Sequence, residues 1–102
     1  MNKKIQNKVV VITGASSGIG KALAYTFAKQ GARLVIAARN IEALQIMVSE
    51  ISGYGVEICA VKTDVSVESD CKNLISETIK RFGTIDVLIC NAGISMRALF
   101  AD

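Results

Sequence analysis

The sequence predicts an α/β fold in which helices cover both faces of one parallel β-sheet. Three observations support this prediction. Four short runs of mostly β-branched apolar residues alternate with three segments of helical period, 51% of the 102 residues are hydrophobic, and no proline occurs. Because no linker or low-complexity run divides the chain, residues 1–102 are expected to lie in one domain with a buried core.

The four predicted strands are apolar without strict alternation, which is typical of a parallel sheet buried on both faces. They are Lys8–Thr13, Arg33–Ala38, Val56–Val61 and Ile85–Cys90. Parallel strands joined by helices take right-handed crossovers. The element order β-α-β-α-β-α-β therefore predicts a Rossmann-type, doubly wound sheet of strand order 3-2-1-4, with a ligand crevice at the carboxyl ends of the first and fourth strands.

The first two predicted helices are identified by their ends. The first runs from Gly18 to Gln30 and stops at Gly31, because glycine readily adopts the conformation that ends a helix. The second begins after Asn40, whose side chain can cap its first turn. The side chains expected to face the core are Ala22, Leu23 and Phe27 in the first helix and Ile41, Leu44, Met47, Val48 and Ile51 in the second.

The third predicted helix has the clearest period. Its apolar face consists of Cys71, Leu74, Ile75, Thr78, Ile79 and Phe82. Ser66 is the expected N-cap. Glu68 and Asp70 suit the positive first turn, and Gly83 ends the helix.

Charge and composition exclude several classes of function. The 12 basic and 9 acidic residues are dispersed, for a net charge of +3, so neither nucleic acid nor a membrane surface is an expected partner. Without histidine, and with three cysteines that form no CxxC pair, zinc ligation and histidine-based triads are excluded within the chain. The odd cysteine number favours a reducing, cytoplasmic compartment. No apolar run is long enough for a membrane helix or a signal peptide.

A glycine-rich segment, TGASSGIG at residues 13–20, joins the first predicted strand to the first helix. Gly14 permits the tight turn, Gly18 lets a pyrophosphate approach the backbone, and Gly20 lets the helix pack closely on the strand. The amides at the helix start then face the phosphates. The predicted phosphate-binding residues are Gly14, Ser16, Ser17, Gly18, Ile19 and Gly20. The alternatives are a turn that binds nothing and a P-loop, but the lysine of a P-loop is missing.

Together with this segment, two further motifs resemble the short-chain dehydrogenase/reductase family. They are Asp64-Val65 after the third strand and Asn91-Ala92-Gly93 after the fourth, and the resemblance covers nearly the whole chain. It implies that Asp64 and Val65 contact the adenine of a nicotinamide cofactor, and that Asn91, Ala92 and Gly93 form the floor beneath the cofactor. Taken singly, each motif is equally compatible with an ordinary strand end or turn.

The end of the second strand indicates which nicotinamide cofactor binds. A carboxylate about 20 residues after the glycine motif would hold the ribose 2′-hydroxyl of NAD, but the sequence there is Ala37-Ala38-Arg39-Asn40. The guanidinium of Arg39 can bind a 2′-phosphate through two hydrogen bonds. Arg39 and Asn40 therefore predict NADP(H) in preference to NAD(H). The alternative for Arg39 is a solvated charge at a strand end.

The resemblance also implies a catalytic Ser, a Tyr, and a Lys four residues after that Tyr, in the later part of a longer chain. The sequence ends at Asp102, so no catalytic residue is predicted in it. Tyr25 and Lys29 have the spacing, but they lie in the first helix near its phosphate-binding end, where a surface pair is expected. Residues 1–102 are thus interpreted as the N-terminal, NADP(H)-binding part of a single Rossmann domain, truncated before its catalytic half.

We expect an oxidoreductase that transfers hydride between NADP(H) and a small-molecule carbonyl or alcohol substrate, and that assembles as a homo-oligomer. The alternatives are a non-catalytic dinucleotide-binding module or truncated relative, and a purely structural α/β domain. If the chain is truncated before its catalytic half, the apolar fourth strand forms an open edge of the sheet, with Met96, Leu99 and Phe100 beyond it. The isolated chain is therefore predicted to be marginally stable or to associate.

Overall fold

The computed structural model describes residues 4–91, and it confirms the predicted α/β architecture. The strands are β1 (Val9–Thr13), β2 (Arg33–Ala38), β3 (Ile58–Lys62) and β4 (Val87–Cys90). The helices are α1 (Gly18–Lys29), α2 (Ile41–Ser52) and α3 (Glu68–Phe82). All strand pairs are parallel, and the strand order is β3-β2-β1-β4, as the sequence predicts.

Strand β1 lies at the centre of the sheet, and all its residues are buried. It pairs with β2 from Val9 to Thr13 and with β4 from Val10 to Thr13. Alternate strand side chains point to opposite faces. One face packs on α1 and α2 through residues that include Val10, Ile12, Leu34, Ile36, Leu44 and Met47. The other face packs on α3 through residues that include Val11, Val35, Cys71 and Leu74. Helices on both faces explain why β1 and β2 are continuously apolar.

The strands differ from prediction mainly at their starts. Regular pairing of β3 begins at Ile58 rather than Val56, after the Glu57 carbonyl accepts the Leu34 N–H at 2.9 Å. Regular pairing of β4 begins at Val87 rather than Ile85, because a side chain intervenes: the Val9 N–H donates to Asp86 Oδ2 at 2.8 Å. The hydrophobic pattern does not show these hydrogen bonds at the strand starts, so it does not predict where regular pairing begins.

The buried face of α1 is centred differently from the prediction: Leu23 and Phe27 pack against the core as predicted, but Ala22 does not. The buried residues are Gly20, Ala24 and Ala28, whereas Ala22 is exposed and Leu23 and Phe27 are half-buried. Residues four apart share one face of a helix, and Ala22 lies about 200° from Gly20. The small residues let α1 approach the sheet closely, so its larger apolar side chains pack along its flanks.

The ends of α2 and α3 follow the prediction except at the N-cap of α3, and one residue of the predicted apolar face of α3 is exposed. Asn40 caps α2, since its Oδ1 accepts the Ala43 N–H at 3.1 Å. Gly83 ends α3 with φ +81°, but the N-cap is Val67 rather than Ser66, whose hydroxyl donates to Asp64. Ile79, at the margin of the predicted apolar face, is 44% exposed.

Strand β4 pairs only with β1 among residues 4–91, and its apolar residues Val87, Leu88 and Ile89 are half-buried. The predicted continuation of this apolar edge, Met96, Leu99 and Phe100, lies outside the described residues. The marginal stability or association of the isolated chain stays a prediction. In the part of the chain that the structure describes, no helix is long and apolar enough to cross a membrane.

Two residues of α2 test the assignment of the core. Leu44 is 0% exposed, while Ile46, two positions later, is 62% exposed. We expect Leu44→Ala to lower the free energy of unfolding by about 2–5 kcal/mol, since it leaves a cavity in the core. The matched Ile46→Ala is expected to change it by less than about 0.5 kcal/mol. Urea unfolding of the three proteins measures both, and similar losses would contradict the packing of α2.

Candidate functional site

The carboxyl ends of all four described strands meet along a groove of about 880 Å³. Its lining residues are Gly14, Ser16 and Ser17 after β1, Ala38, Arg39 and Asn40 at the end of β2, Thr63, Asp64, Val65 and Ser66 after β3, and Asn91 after β4. In doubly wound sheets a ligand crevice lies between the strands where the strand order reverses, here β1 and β4. The groove occupies that position.

Most of the residues that the sequence singles out therefore come together. Gly18, Ile19 and Gly20 form the first turn of α1, which begins beside the groove. Ala92 and Gly93 lie outside the described residues. Three lining residues, Ala38, Thr63 and Ser66, are not among the site residues predicted from the sequence. The spacing Asp64-x-Ser66 is typical of a turn in which an aspartate accepts hydrogen bonds from residues just after it, and it could have identified Ser66.

The turn between β1 and α1 favours glycine for its backbone conformation at Gly14 and Gly18 and for close packing at Gly20. Gly14 has φ +63° and Gly18 has φ +57°, conformations that favour glycine. A Cβ on Gly20 would lie 2.5 Å from the Gly14 carbonyl oxygen and 2.6 Å from Asn91 Nδ2. The first turn of α1 therefore packs directly against the backbone that leaves β1.

The start of α1 is open to a ligand. Its first N–H groups have no acceptor within the helix. Ser17, the N-cap, makes no side-chain capping bond, and the first turn contains no acidic residue. Ile19 is 69% exposed. Unpaired N–H groups at the positive end of a helix are suited to bind an anion such as a pyrophosphate.

Hydrogen bonds tie the end of β4 to this turn. The buried Thr13 hydroxyl donates to the Ile89 carbonyl at 3.4 Å and accepts the Asn91 N–H at 3.1 Å. Asn91 Nδ2 donates to the Gly14 carbonyl at 3.3 Å. Asn91 thus fixes the segment after β4 against the glycine-rich turn, which holds the two walls of the groove together.

The loop after β3 holds a carboxylate in a defined orientation. Asp64 Oδ1 accepts hydrogen bonds from the Ser66 hydroxyl at 2.6 Å and from the Ser66 N–H at 2.9 Å. The Asp64 N–H donates to Asp70 Oδ2 at 2.9 Å. The bonds from Ser66, and to a smaller extent the positive charge of Arg39, hold the pKa of Asp64 below its usual value. Asp64 is therefore ionised at neutral pH.

Arg39 lies at the end of β2 and is exposed. Within residues 4–91 the ion pair in direct contact joins Lys72 to Glu68, so no described carboxylate contacts the Arg39 guanidinium. Its neighbour Asn40 uses Oδ1 to cap α2, which leaves its Nδ2 as a donor. This corner of the groove thus offers a permanent cation and an amide donor.

Tyr25 and Lys29 do not form the expected simple surface pair, and they do not line the groove. Tyr25 is half-buried, its hydroxyl donates to Glu50 of α2, and its ring packs edge-on against Tyr54 with centroids 6.4 Å apart. Burial, together with the hydrogen bond to Glu50 and its negative charge, raises the pKa of Tyr25 to about 12. Tyr25 therefore joins α1 to α2.

Within the described range, no cluster of three or more metal-ligating side chains is present.

The family to which this architecture belongs is shown by comparison with known proteins. The family model described as short chain dehydrogenase matches residues 8–102. The chain belongs to the short-chain dehydrogenase family. The family match confirms the resemblance seen in the sequence, and the strand order confirms the expected fold.

Relatives match the chain over nearly its whole length. It is 45% identical over 102 residues to the 11-beta-hydroxysteroid dehydrogenase-like protein 4A of Arabidopsis thaliana, covering 99% of this chain and 34% of that protein. It is 49% identical over 90 residues to an uncharacterized oxidoreductase of Listeria monocytogenes, covering 88% and 36%. The chain thus spans about a third of the length of these relatives.

Solved structures with the same fold contain either form of the cofactor. L-sorbose reductase from Gluconobacter frateurii, complexed with NADPH and L-sorbose, has a TM-score of 0.87 and 38% identity over 92% of this chain and 36% of its own. A short chain dehydrogenase/reductase from Burkholderia phymatum, complexed with NAD, has a TM-score of 0.80 and 36% identity over 86% and 31%. Family membership alone therefore leaves open which cofactor this chain binds.

The packing of Gly20 can be tested by stability. We expect Gly20→Ala to lower the free energy of unfolding by roughly 1–3 kcal/mol, because its Cβ would overlap backbone that cannot easily move. Gly53→Ala is the control. Gly53 has φ −65°, and a Cβ added there would lie 3.2 Å from its nearest neighbour, the Glu50 carbonyl oxygen. Its effect is expected within about 1 kcal/mol of zero. Equal effects in urea unfolding would refute the close contact.

The environment of Tyr25 can be tested by titration. Ultraviolet titration of tyrosinate should show a step near pH 12 that Tyr25→Phe lacks. Since the folded pKa lies above the usual value of about 10, the contribution of Tyr25 to stability is fully present below about pH 10 and is lost as the pH rises through the folded value. If the titration step that Tyr25→Phe removes lies near pH 10 in the parent protein, the hydrogen bond between Tyr25 and Glu50 is absent in solution.

Proposed function

We propose that this chain forms the NADP(H)-binding part of an oxidoreductase that transfers hydride between the cofactor and a carbonyl or alcohol group of a small molecule. The observation that carries the proposal is the groove itself. It joins the open N-terminus of α1 to Arg39 at the end of β2, whose guanidinium makes no contact ion pair with a described residue. In this proposal residues 1–102 are the N-terminal part of a single Rossmann domain.

Each part of the groove suits one part of an extended dinucleotide. The N–H groups of Gly18, Ile19 and Gly20, with the hydroxyls of Ser16 and Ser17, would hold the pyrophosphate. At one side, Asp64 and Val65 would contact the adenine. Asn91, which already bonds the Gly14 carbonyl, would form the floor together with Ala92 and Gly93.

The preference for NADP(H) is proposed from the end of β2. A carboxylate there would bind the 2′-hydroxyl of NAD and repel a 2′-phosphate. The chain has Ala38, Arg39 and Asn40 at this place, all of which line the groove. Arg39 would bind the 2′-phosphate through paired hydrogen bonds, and Asn40 Nδ2 would add a donor.

The bound cofactor supplies the hydride chemistry, and the chain's own residues bind and orient it. No described residue is proposed as the acid or base. Tyr25, the one tyrosine with a lysine four residues later, keeps its proton up to about pH 12 and does not line the groove. The proton-transfer group is therefore proposed to lie outside residues 4–91.

The assembly and the compartment are also proposals. The half-buried β4 residues Val87, Leu88 and Ile89 have a strand neighbour on one side only within the described chain, which suits contact with further protein. All three cysteines are free thiols, which suits a reducing compartment. We therefore propose a cytoplasmic homo-oligomer that binds neither membrane nor nucleic acid.

The role of Arg39 can be tested by calorimetric titration with NADP⁺ and NAD⁺, after folding has been verified by circular dichroism. We expect Arg39→Ala to weaken NADP⁺ binding by about 1.5–3 kcal/mol, or roughly 10- to 150-fold, because it removes a charged hydrogen-bonding partner. Binding of NAD⁺, which lacks the phosphate, should change by less than about twofold, a difference of ~0.4 kcal/mol.

Arg33→Ala is the matched control, because Arg33 lies at the opposite end of β2, where it stacks on Phe82 at 5.5 Å. It should leave the ratio of the two dissociation constants unchanged. Equal losses of both cofactors in Arg39→Ala would contradict the 2′-phosphate role. If the folded chain binds neither cofactor, the groove is not the dinucleotide site that we propose.

A further inference from the structure

The loops that follow β2 and β3 leave the sheet side by side. The last pair in the β2–β3 register is Ala38 with Lys62, and the Thr63 N–H still donates to the Ala38 carbonyl at 2.9 Å. Arg39 directly follows β2, Asp64 is the second residue after the end of β3, and both line the groove. A cation and an anion are therefore placed at the same corner, where the proposed 2′-phosphate would lie.

The carboxylate of Asp64 cannot turn away from this corner without losing hydrogen bonds. Ser66 donates to Oδ1 through both its hydroxyl and its N–H, and Asp70 accepts the Asp64 N–H from the first turn of α3. None of the hydrogen bonds formed within residues 4–91 uses Asp64 Oδ2. The negative charge is thus held in place and remains available to the groove.

Arg39 and Asp64 influence each other without forming an ion pair. Among the described residues, no carboxylate oxygen lies within 4.0 Å of an Arg39 nitrogen. The positive charge of Arg39 nevertheless contributes to the lowered pKa of Asp64, after the hydrogen bonds from Ser66. Electrostatic interaction is reciprocal, so the field of Asp64 also reaches the place where Arg39 would hold a phosphate.

We propose that Asp64 is a specificity-determining residue, whose fixed carboxylate repels the 2′-phosphate that Arg39 attracts and so moderates the preference for NADP(H) over NAD(H). This inference rests on the proposed cofactor site. It gives Asp64 an electrostatic role in addition to the adenine contact that the family resemblance implies. Because an added phosphate carries up to two negative charges, NADP(H) experiences this repulsion more strongly than NAD(H).

The test is Asp64→Asn, which removes the charge but keeps the Oδ1 acceptor for Ser66. Dissociation constants of NADP⁺ and NAD⁺ are measured for both proteins by calorimetry in low salt. The two ligands share the adenine and the pyrophosphate, so the ratio of their constants isolates the effect on the 2′-phosphate. We expect the preference for NADP⁺ to rise on the order of fourfold, as for charges roughly 10 Å apart in water. The rise should shrink toward none in about 1 M salt.

Glu68→Gln is the matched control. Glu68 lies in the same first turn of α3 as Asp70, pairs with Lys72 at 3.0 Å, and does not line the groove. Its removal should leave the ratio unchanged within about twofold, since its charge is exposed and already neutralised.

Each result has a distinct meaning. A rise in NADP⁺ preference with Asp64→Asn, but not with Glu68→Gln, supports the proposal. Equal changes for both cofactors, a fall in the preference, or the same rise with Glu68→Gln would overturn it while leaving the cofactor site intact. If the folded parent chain binds neither cofactor, the proposed function fails and this inference fails with it.

Discussion

Three segments of the chain meet at the carboxyl end of β1, and the rest of the site depends on how closely they approach. The Gly14 carbonyl, the first turn of α1 and the Asn91 side chain leave no room for a Cβ at Gly20. This contact fixes the direction in which α1 leaves the sheet and therefore where its free N–H groups point. It also fixes β4 relative to the turn, because Asn91 reaches the turn through both its N–H and its side chain.

The close approach of α1 continues along the helix and shapes the core. Gly20, Ala24 and Ala28 face the sheet, so the helix axis can lie near β1 and β2. A wider separation would draw the start of α1 away from the Gly14 carbonyl. The small residues on this face are therefore part of the same constraint that builds the groove, although Ala24 and Ala28 lie further along the helix.

The sequence predicts the order of the elements and most of the residues that line the groove, because both depend on signals that are local in the chain. Apolar runs, the cap at Asn40 and the glycine-rich turn all act within a few residues. It predicts that Leu23 and Phe27 of α1 pack on the core, but not that Ala24 is buried instead of Ala22, because the two alanines are chemically identical and only the distance to the sheet distinguishes them. Nor does it predict the start of α3: the N-cap is Val67, one residue after Ser66, and the Ser66 hydroxyl donates to Asp64 in the preceding loop.

The charges of the site are likewise decided by the tertiary structure. Arg39 and Asp64 are far apart in sequence, and the pairing of β2 with β3 places them at one corner of the groove. Tyr25 lies away from this corner, where burial and its contact with Glu50 of the neighbouring helix raise its pKa to about 12. A general acid or base works best when its pKa lies near the operating pH. Tyr25 has a pKa raised to about 12 and does not line the groove, so its environment is not that of an acid or base working near neutral pH.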